Sequence, residues 1–222
     1  MVRILKSEKH VFWEALVIAV FIFLIGMLLG VFLENWRKGN IETLYFESEI
    51  QMFDLRVQSD IFSFQDLNCE NAVKENVKFG DKIFEEALLL QDLEESQALT
   101  EALKTQHRRY DLLRTLFWVN SIKIKARCKN SFHTVVYLYN YDTSIDERSK
   151  QEAFSRFLGE LKNKVKDKIV LIPIAADMGL VSTNNLIEQY NIDRSKFPVV
   201  IIDEKHKFYE LEGLKDIEPL II

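Results

Sequence analysis

Three hydrophobic rhythms follow one another along the chain, and each predicts a different kind of element. The run from Val11 to Leu33 (VFWEALVIAVFIFLIGMLLGVFL) is continuous, broken only by Glu14. From Asn40 the apolar residues recur every three or four positions, the period of an amphipathic helix. From Ser131 they contract into short blocks rich in β-branched and aromatic residues, with a clear helical stripe between the first two.

At about 23 residues and 1.5 Å per residue, the first run is long enough to cross a hydrocarbon layer of about 30 Å with some tilt. A cleaved secretory signal is the rival reading, but its apolar core is about 7 to 15 residues long and ends at a small-residue cleavage site. Here the run passes straight into Glu34-Asn35-Trp36-Arg37-Lys38, which favours an uncleaved anchor. Glu14 lies one turn inside and can reach the headgroups. Arg3, Lys6 and Lys9 precede the span and Arg37 and Lys38 follow it, so the positive-inside rule puts residues 1–10 in the cytoplasm and the remainder beyond the span outside. Gly26 and Gly30 have the small-xxx-small spacing that lets a second helix approach closely. A homodimer through this face is one reading; the general abundance of glycine in membrane helices is the other.

Residues 40–128 read as a helical stalk and hairpin. Phe46, Ile50, Phe53, Val57, Ile61 and Phe64 predict a helix ending near Asn68. Val73, Val77, Phe84, Ala87, Leu88 and Gln91 predict a second, and Leu99, Leu103, Tyr110, Leu113, Phe117 and Ile124 a third, with the turn between them at residues 92–96. The spacing suits coiled-coil-like packing of the hairpin against the aromatic side chains of the first helix. The two cysteines, Cys69 and Cys128, open the second helix and follow the third, so an antiparallel hairpin of nearly equal arms brings them together. A disulfide there, closing a loop of about 60 residues, stabilises by about 4 kcal/mol in the chain-entropy model. The alternative is two separate thiols.

Residues 131–222 predict an α/β module. His133–Tyr139 (HTVVYLY) is a buried strand, and Ser144-Ile145-Asp146-Glu147 has capping-box spacing ahead of a helix over residues 147–165, with Phe154, Phe157, Leu158, Leu161 and Val165 on one face. Ile169–Ala175 is a second strand that Pro173 assigns to an edge or a strand end. A short helix capped by Ser182 follows, carrying Leu186, Ile187 and Tyr190. Then come a strand from Val199, a turn at residues 203–206, a strand at residues 207–211 and a short closing helix after Gly213.

This order of strand, helix, strand, helix, hairpin and helix resembles the thioredoxin fold. The most specific local sign is Tyr190-Asn191-Ile192 leading to Phe197-Pro198-Val199-Val200-Ile201-Ile202, similar to the segment where that family places a cis-proline before a central strand. The resemblance implies that backbone at Phe197 and Pro198 faces the redox motif and pairs with an extended peptide. The whole chain is similar to membrane-anchored prokaryotic, chiefly archaeal, proteins in which a helical hairpin flanked by two cysteines precedes a thioredoxin-like domain. Leu67-Asn68-Cys69 and Lys125-Ala126-Arg127-Cys128 match their cysteine segments.

The departure from that family lies in its chemistry. Its CxxC pairs a thiol activated by a helix N-terminus with a resolving thiol. The corresponding slot here is Thr143, Ser144, Ile145 and Asp146, which contains no sulfur. Hydroxyls cannot replace thiolates in disulfide exchange, so no redox enzyme is expected unless Cys69 and Cys128 serve as a distant pair.

The remaining composition narrows the choices. With 29 Lys+Arg against 34 Asp+Glu and a net charge of -5, no strongly basic surface for nucleic acid is expected. His10, His107, His133 and His206 lack metal-ligand spacing, so neither a metal nor a cofactor is expected. Asp142 and Asp146 suit a turn and a helix start better than acid and base roles. Lys162, Lys164, Lys166 and Lys168 read as a solvated helix end, with an acidic partner as the other possibility. Two functions follow. The first is a single-pass membrane protein whose thioredoxin-like domain binds an unidentified protein or peptide outside the cytoplasm. The second is an assembly protein that oligomerises through its membrane and long helices.

Overall fold

The computed structural model describes residues 8–64, 68–96, 101–129 and 132–221. Arg3, Lys6, Leu67, Leu99 and Ser131, used above, lie outside them. The chain divides into two units, residues 1–47 and 48–222. The first helix, α1 (Glu8–Phe64), contributes to both.

In the first unit, Val11–Leu33 is exposed throughout and is the one helix among the described residues long and apolar enough to cross a membrane. Gly26 and Gly30 are open on this helix: a Cβ built on either meets nothing within 4 Å.

The second unit is a mixed helix-and-sheet domain. Its elements are the end of α1, α2 (Cys69–Ser96), α3 (Glu101–Arg127), β1 (His133–Tyr139), α4 (Ile145–Val165), β2 (Ile169–Ala175), α5 (Val181–Gln189), β3 (Val199–Ile202) and β4 (His206–Phe208). The four strands form one sheet in the order β2-β1-β3-β4. β1 and β2 are parallel, with His133 opposite Ile169 and Tyr139 opposite Ala175. β3 runs antiparallel to β1, Leu138 opposite Val199, and β4 antiparallel to β3. Pro173 falls on the edge strand β2, where its missing N–H removes no ladder bond on the outer side.

The strands are apolar on both faces because both are covered. Val135, Tyr137, Ile169, Leu171, Val200 and Ile202 pack with Phe154, Leu158, Leu161 and Val165 of α4 and with Ile217 and Ile221 of the C-terminal 3₁₀ turns. Val136, Leu138, Val170, Ile172, Ile174, Val199 and Ile201 pack instead with the hairpin, with α5 and with Leu55 of α1. The hairpin is therefore a layer of the domain and does not stand apart from it, correcting the expected division at residues 128–131. The approach is tight at Gly80 of α2, where an added Cβ would lie 2.9 Å from Val170 Cγ1 and 3.3 Å from Phe117 Cζ.

Other expectations are corrected too. Residues 92–96, expected as a turn, continue α2 as helix to Ser96. They contain no glycine or proline to end it. The N-cap of α5 is Leu180 and makes no side-chain cap bond, so Ser182 sits inside the first turn. The closing helix is two short 3₁₀ turns, Leu214–Asp216 and Glu218–Leu220. β4 spans His206–Phe208, starting one residue earlier and ending sooner than expected.

The largest correction concerns α1. Its expected packing face, Phe46, Ile50, Phe53, Val57 and Ile61, is between 49% and 69% exposed. The side chain of Phe64 lies outside the described residues. The buried face is Ser48, Gln51, Leu55 and Ser59. Gln51 Nε2 donates to Glu86 Oε1 at 2.9 Å, Asn120 Nδ2 to the Leu55 carbonyl at 3.0 Å, and Lys123 Nζ to Ser59 Oγ at 2.8 Å. Hydrogen bonds choose this face, and an apolar stripe is left facing out.

The two glycines on the domain's helices test the packing in opposite directions. Gly80→Ala forces overpacking against stiff Val170, a cost of about 1–3 kcal/mol that exceeds the helix-propensity gain of about 1 kcal/mol. Gly159→Ala, where an added Cβ meets nothing within 4 Å, gains about 0.5–1 kcal/mol. Urea denaturation midpoints should move down for the first and up for the second.

Candidate functional site

The slot nominated by sequence lies where β1 hands over to α4. Ser144 is the N-cap of α4 and the capping box is complete. Glu147 Oε2 accepts from the Ser144 N–H at 3.1 Å, from Ser144 Oγ at 3.0 Å and from Thr143 Oγ1 at 2.7 Å. These bonds, that from Thr143 first, hold the Glu147 carboxyl below its ordinary range. Ile145 is 84% exposed and Asp146 is exposed. Both slot hydroxyls are thus engaged in starting a helix.

The loop before the slot is tied down by the rest of the domain. Asp177 accepts the N–H groups of Tyr141 at 2.7 Å and Asp142 at 2.9 Å. Asp142 in turn pairs with Lys104 of α3 at 2.8 Å. This gives Asp142 a structural partner.

The Phe197–Pro198 peptide bond is cis. Val199 pairs with Leu138, so the register sets Pro198 beside the end of β1 from which the chain leaves for Thr143. The Phe197 side chain is 8% exposed and joins the hairpin-side core, so only backbone at this position is available to face the slot.

Cys69 and Cys128 form a disulfide, with Cα atoms 5.4 Å apart. They share a surface depression with Val77, Asp81 and Asp167, next to the start of β2. The slot is at the opposite end of the strands. Seven residues of β1, roughly 23 Å at strand rise, separate the two ends.

Beside the slot lies a cavity of about 400 Å³ between the hairpin and α4, which the sequence reading does not anticipate. Phe84, Leu88, Leu158, Leu171 and Pro173 contribute its apolar wall, and His107, Arg114, Tyr139, Tyr141, Thr143 and Arg148 its polar one. Arg114 is 1% exposed and Asp111 is fully buried. Asp111 Oδ1 accepts from Arg114 Nη1 at 3.1 Å and from the Ala175 N–H at 3.2 Å, while Oδ2 is 3.3 Å from His107 Nε2. His107 Nε2 also lies 3.0 Å from the Tyr139 hydroxyl, and its ring is 4.5 Å from that of Tyr141. Burial raises the Asp111 carboxyl, with His107 and Arg114 pulling the other way. A sequence signal exists: Asp111 and Arg114 directly follow the core residues Tyr110 and Leu113, so two charges intrude on an apolar stripe.

A second polar cluster fastens the β3–β4 turn. Asp203 and Glu204, central in the three-residue connection closed by the Lys205 N–H to the Ile202 carbonyl, have φ of 52° and 60°, the left-handed backbone that a type I′ turn requires and non-glycine residues resist. Lys125 Nζ donates to Asp203 Oδ1 at 2.5 Å, Glu204 Oε2 at 3.3 Å and Thr134 Oγ1 at 3.0 Å. His133 Nδ1 is 2.6 Å from Asp203 Oδ2, and Trp118 Nε1 donates to Glu204 Oε1 at 3.0 Å. Each partner holds the turn against its own strain.

Burial pushes the Asp203 carboxyl up, but bonds and charge from Lys125 and His133 outweigh it and leave the group below its ordinary range. A carboxylate depressed in the folded state contributes stability above its unfolded value, about 4, and loses it as pH falls toward the folded value. Asp203→Asn should lower stability at neutral pH and flatten the acid-side decline, as measured by denaturation at successive pH values. An unchanged slope would remove Asp203 as its source. Comparison with known protein families, with curated proteins and with solved structures finds no match to this chain.

Proposed function

We propose that this protein is a single-pass, membrane-anchored, thioredoxin-like binding protein, with its N-terminus in the cytoplasm and its domain outside, that engages a protein or peptide without thiol–disulfide exchange. The observation that carries this reading is the register that sets Pro198, just before β3, beside the end of β1 that leads to the slot, where Ser144 caps α4 and no sulfur is present. The strand order β2-β1-β3-β4, with β3 antiparallel to β1 and helices α4 and α5 as the connections around β2, supports the thioredoxin-like assignment. The Cys69–Cys128 disulfide supports an oxidising compartment. Its place at the other end of the strands argues against service as a substitute redox pair.

Pull-down from native membranes should recover partner proteins with the wild-type chain that Pro198→Ala loses, while both proteins reduce insulin no faster than background. Equal recovery by both, or insulin turnover by the wild type, would defeat the reading.

The second reading, assembly through helices, is favoured by the exposed stripe Ile50, Phe53, Val57 and Ile61 on α1, whose spacing suits a coiled-coil seam. Because both native cysteines are joined to each other, a Val57→Cys protein carries one new thiol. Mild oxidation in membranes should give a disulfide-linked dimer if the stripe is such a seam. Persistent monomer would exclude it.

A further inference from the structure

The cavity between the hairpin and α4 has features that the cap of α4 and the cis-proline do not explain. Its volume of about 400 Å³ falls in the range of small-molecule sites. It extends along α4 from Arg148 to Asn163, about 22 Å of helix. Gly159 interrupts a helix with a residue that weakens it, and a Cβ there would meet nothing within 4 Å, so the space is left open at a cost to the helix. Arg114, almost wholly buried in the wall, commits Nη1 to Asp111 while its Nε has no hydrogen-bond partner. Buried donors are nearly always satisfied, and an orphaned guanidinium N–H in a cavity wall wants an oxygen acceptor.

We propose that this cavity binds a monocarboxylate with an apolar, preferably aromatic, body: the carboxylate against Arg114 and Arg148, the body along Phe84, Leu158 and Gly159. The unpartnered donors favour one negative group. Asp111 Oδ1 is already taken up by Arg114 and the Ala175 N–H, whereas the exposed Arg148 guanidinium at the mouth makes no hydrogen bond or ion pair among the described residues. Asp111 and Glu152, one turn further along α4 from Arg148, together match the charges of the two arginines, so the lining holds no surplus positive charge for a polyanion. The same chemistry is offered by a free carboxylic acid and by a peptide C-terminus ending in an aromatic residue. The proposal is independent of client capture at Pro198, and its failure would leave that reading untouched.

The test uses the full-length protein in nanodiscs, titrated with 4-phenylbutanoate and with 4-phenylbutanol and followed by saturation-transfer NMR. The acid should bind at least about tenfold more tightly than the alcohol. Gly159→Leu, which fills the open space without a backbone clash, should abolish binding while leaving thermal stability intact. Arg114→Lys, which keeps a cation beside Asp111 but removes Nε, should weaken the acid by about tenfold and spare the alcohol. Alanyl-alanyl-phenylalanine and its C-terminal amide distinguish the sources: tighter binding by the free tripeptide than by 4-phenylbutanoate assigns the site to a peptide terminus, and the reverse assigns it to a small acid. Equal affinity for acid and alcohol, or undiminished binding to Gly159→Leu, would overturn the proposal.

Discussion

The requirement to cover both faces of β1 and β2 governs the arrangement of the second unit. Val135 and Tyr137 point one way from β1 and Val136 and Leu138 the other, and all four are buried. A sheet so built needs a helical layer on each side. The crossover helix α4 supplies one. α5 is only nine residues long, and the rest of the other face is closed by α2 and α3, brought in to van der Waals distance at Gly80. The hairpin is consequently part of the fold's core.

That dependence explains which features are legible in the sequence. The strands, the capping box at Ser144 and Glu147, the position of Pro173 on an edge and the meeting of Cys69 with Cys128 follow from local rules, and the structure agrees with them. In α3, Leu103, Tyr110, Leu113, Phe117 and Ile124 are all buried, because an apolar stripe on a helix with sheet on one side has only one place to go. The end of α1 obeys a different rule. Its contact with the hairpin is made by Gln51, Asn120, Lys123 and Ser59, and hydrogen-bond complementarity between distant polar residues has no periodic signature.

The candidate site divides along the same line. Thr143 and Ser144 are readable as a helix start, and Phe197–Pro198 as a strand entry, because both depend on neighbours in sequence. The cavity depends on residues from α2, α3, β1, α4 and β2. Only the intrusion of Asp111 and Arg114 into the α3 stripe hints at it. Two charged assemblies therefore sit along one helix. Arg114, paired with Asp111, joins a cavity wall near the outgoing end of β1, while Lys125 is spent on the β3–β4 turn and on Thr134 of β1.

The disulfide has a topological consequence. It closes α2, the connection and α3 into a covalent ring from Cys69 to Cys128, through which both arms are fixed at their sheet-proximal ends. A single peptide cleavage inside that ring opens a loop but releases nothing: the two products remain one molecule, joined at the sulfurs. Reduction alone would detach neither part, and cleavage alone would detach neither. Loss of the sheet from α1 by this route takes both events, so the bridge makes the hairpin tolerant of a protease in an oxidising space and severable only where reductant is also present.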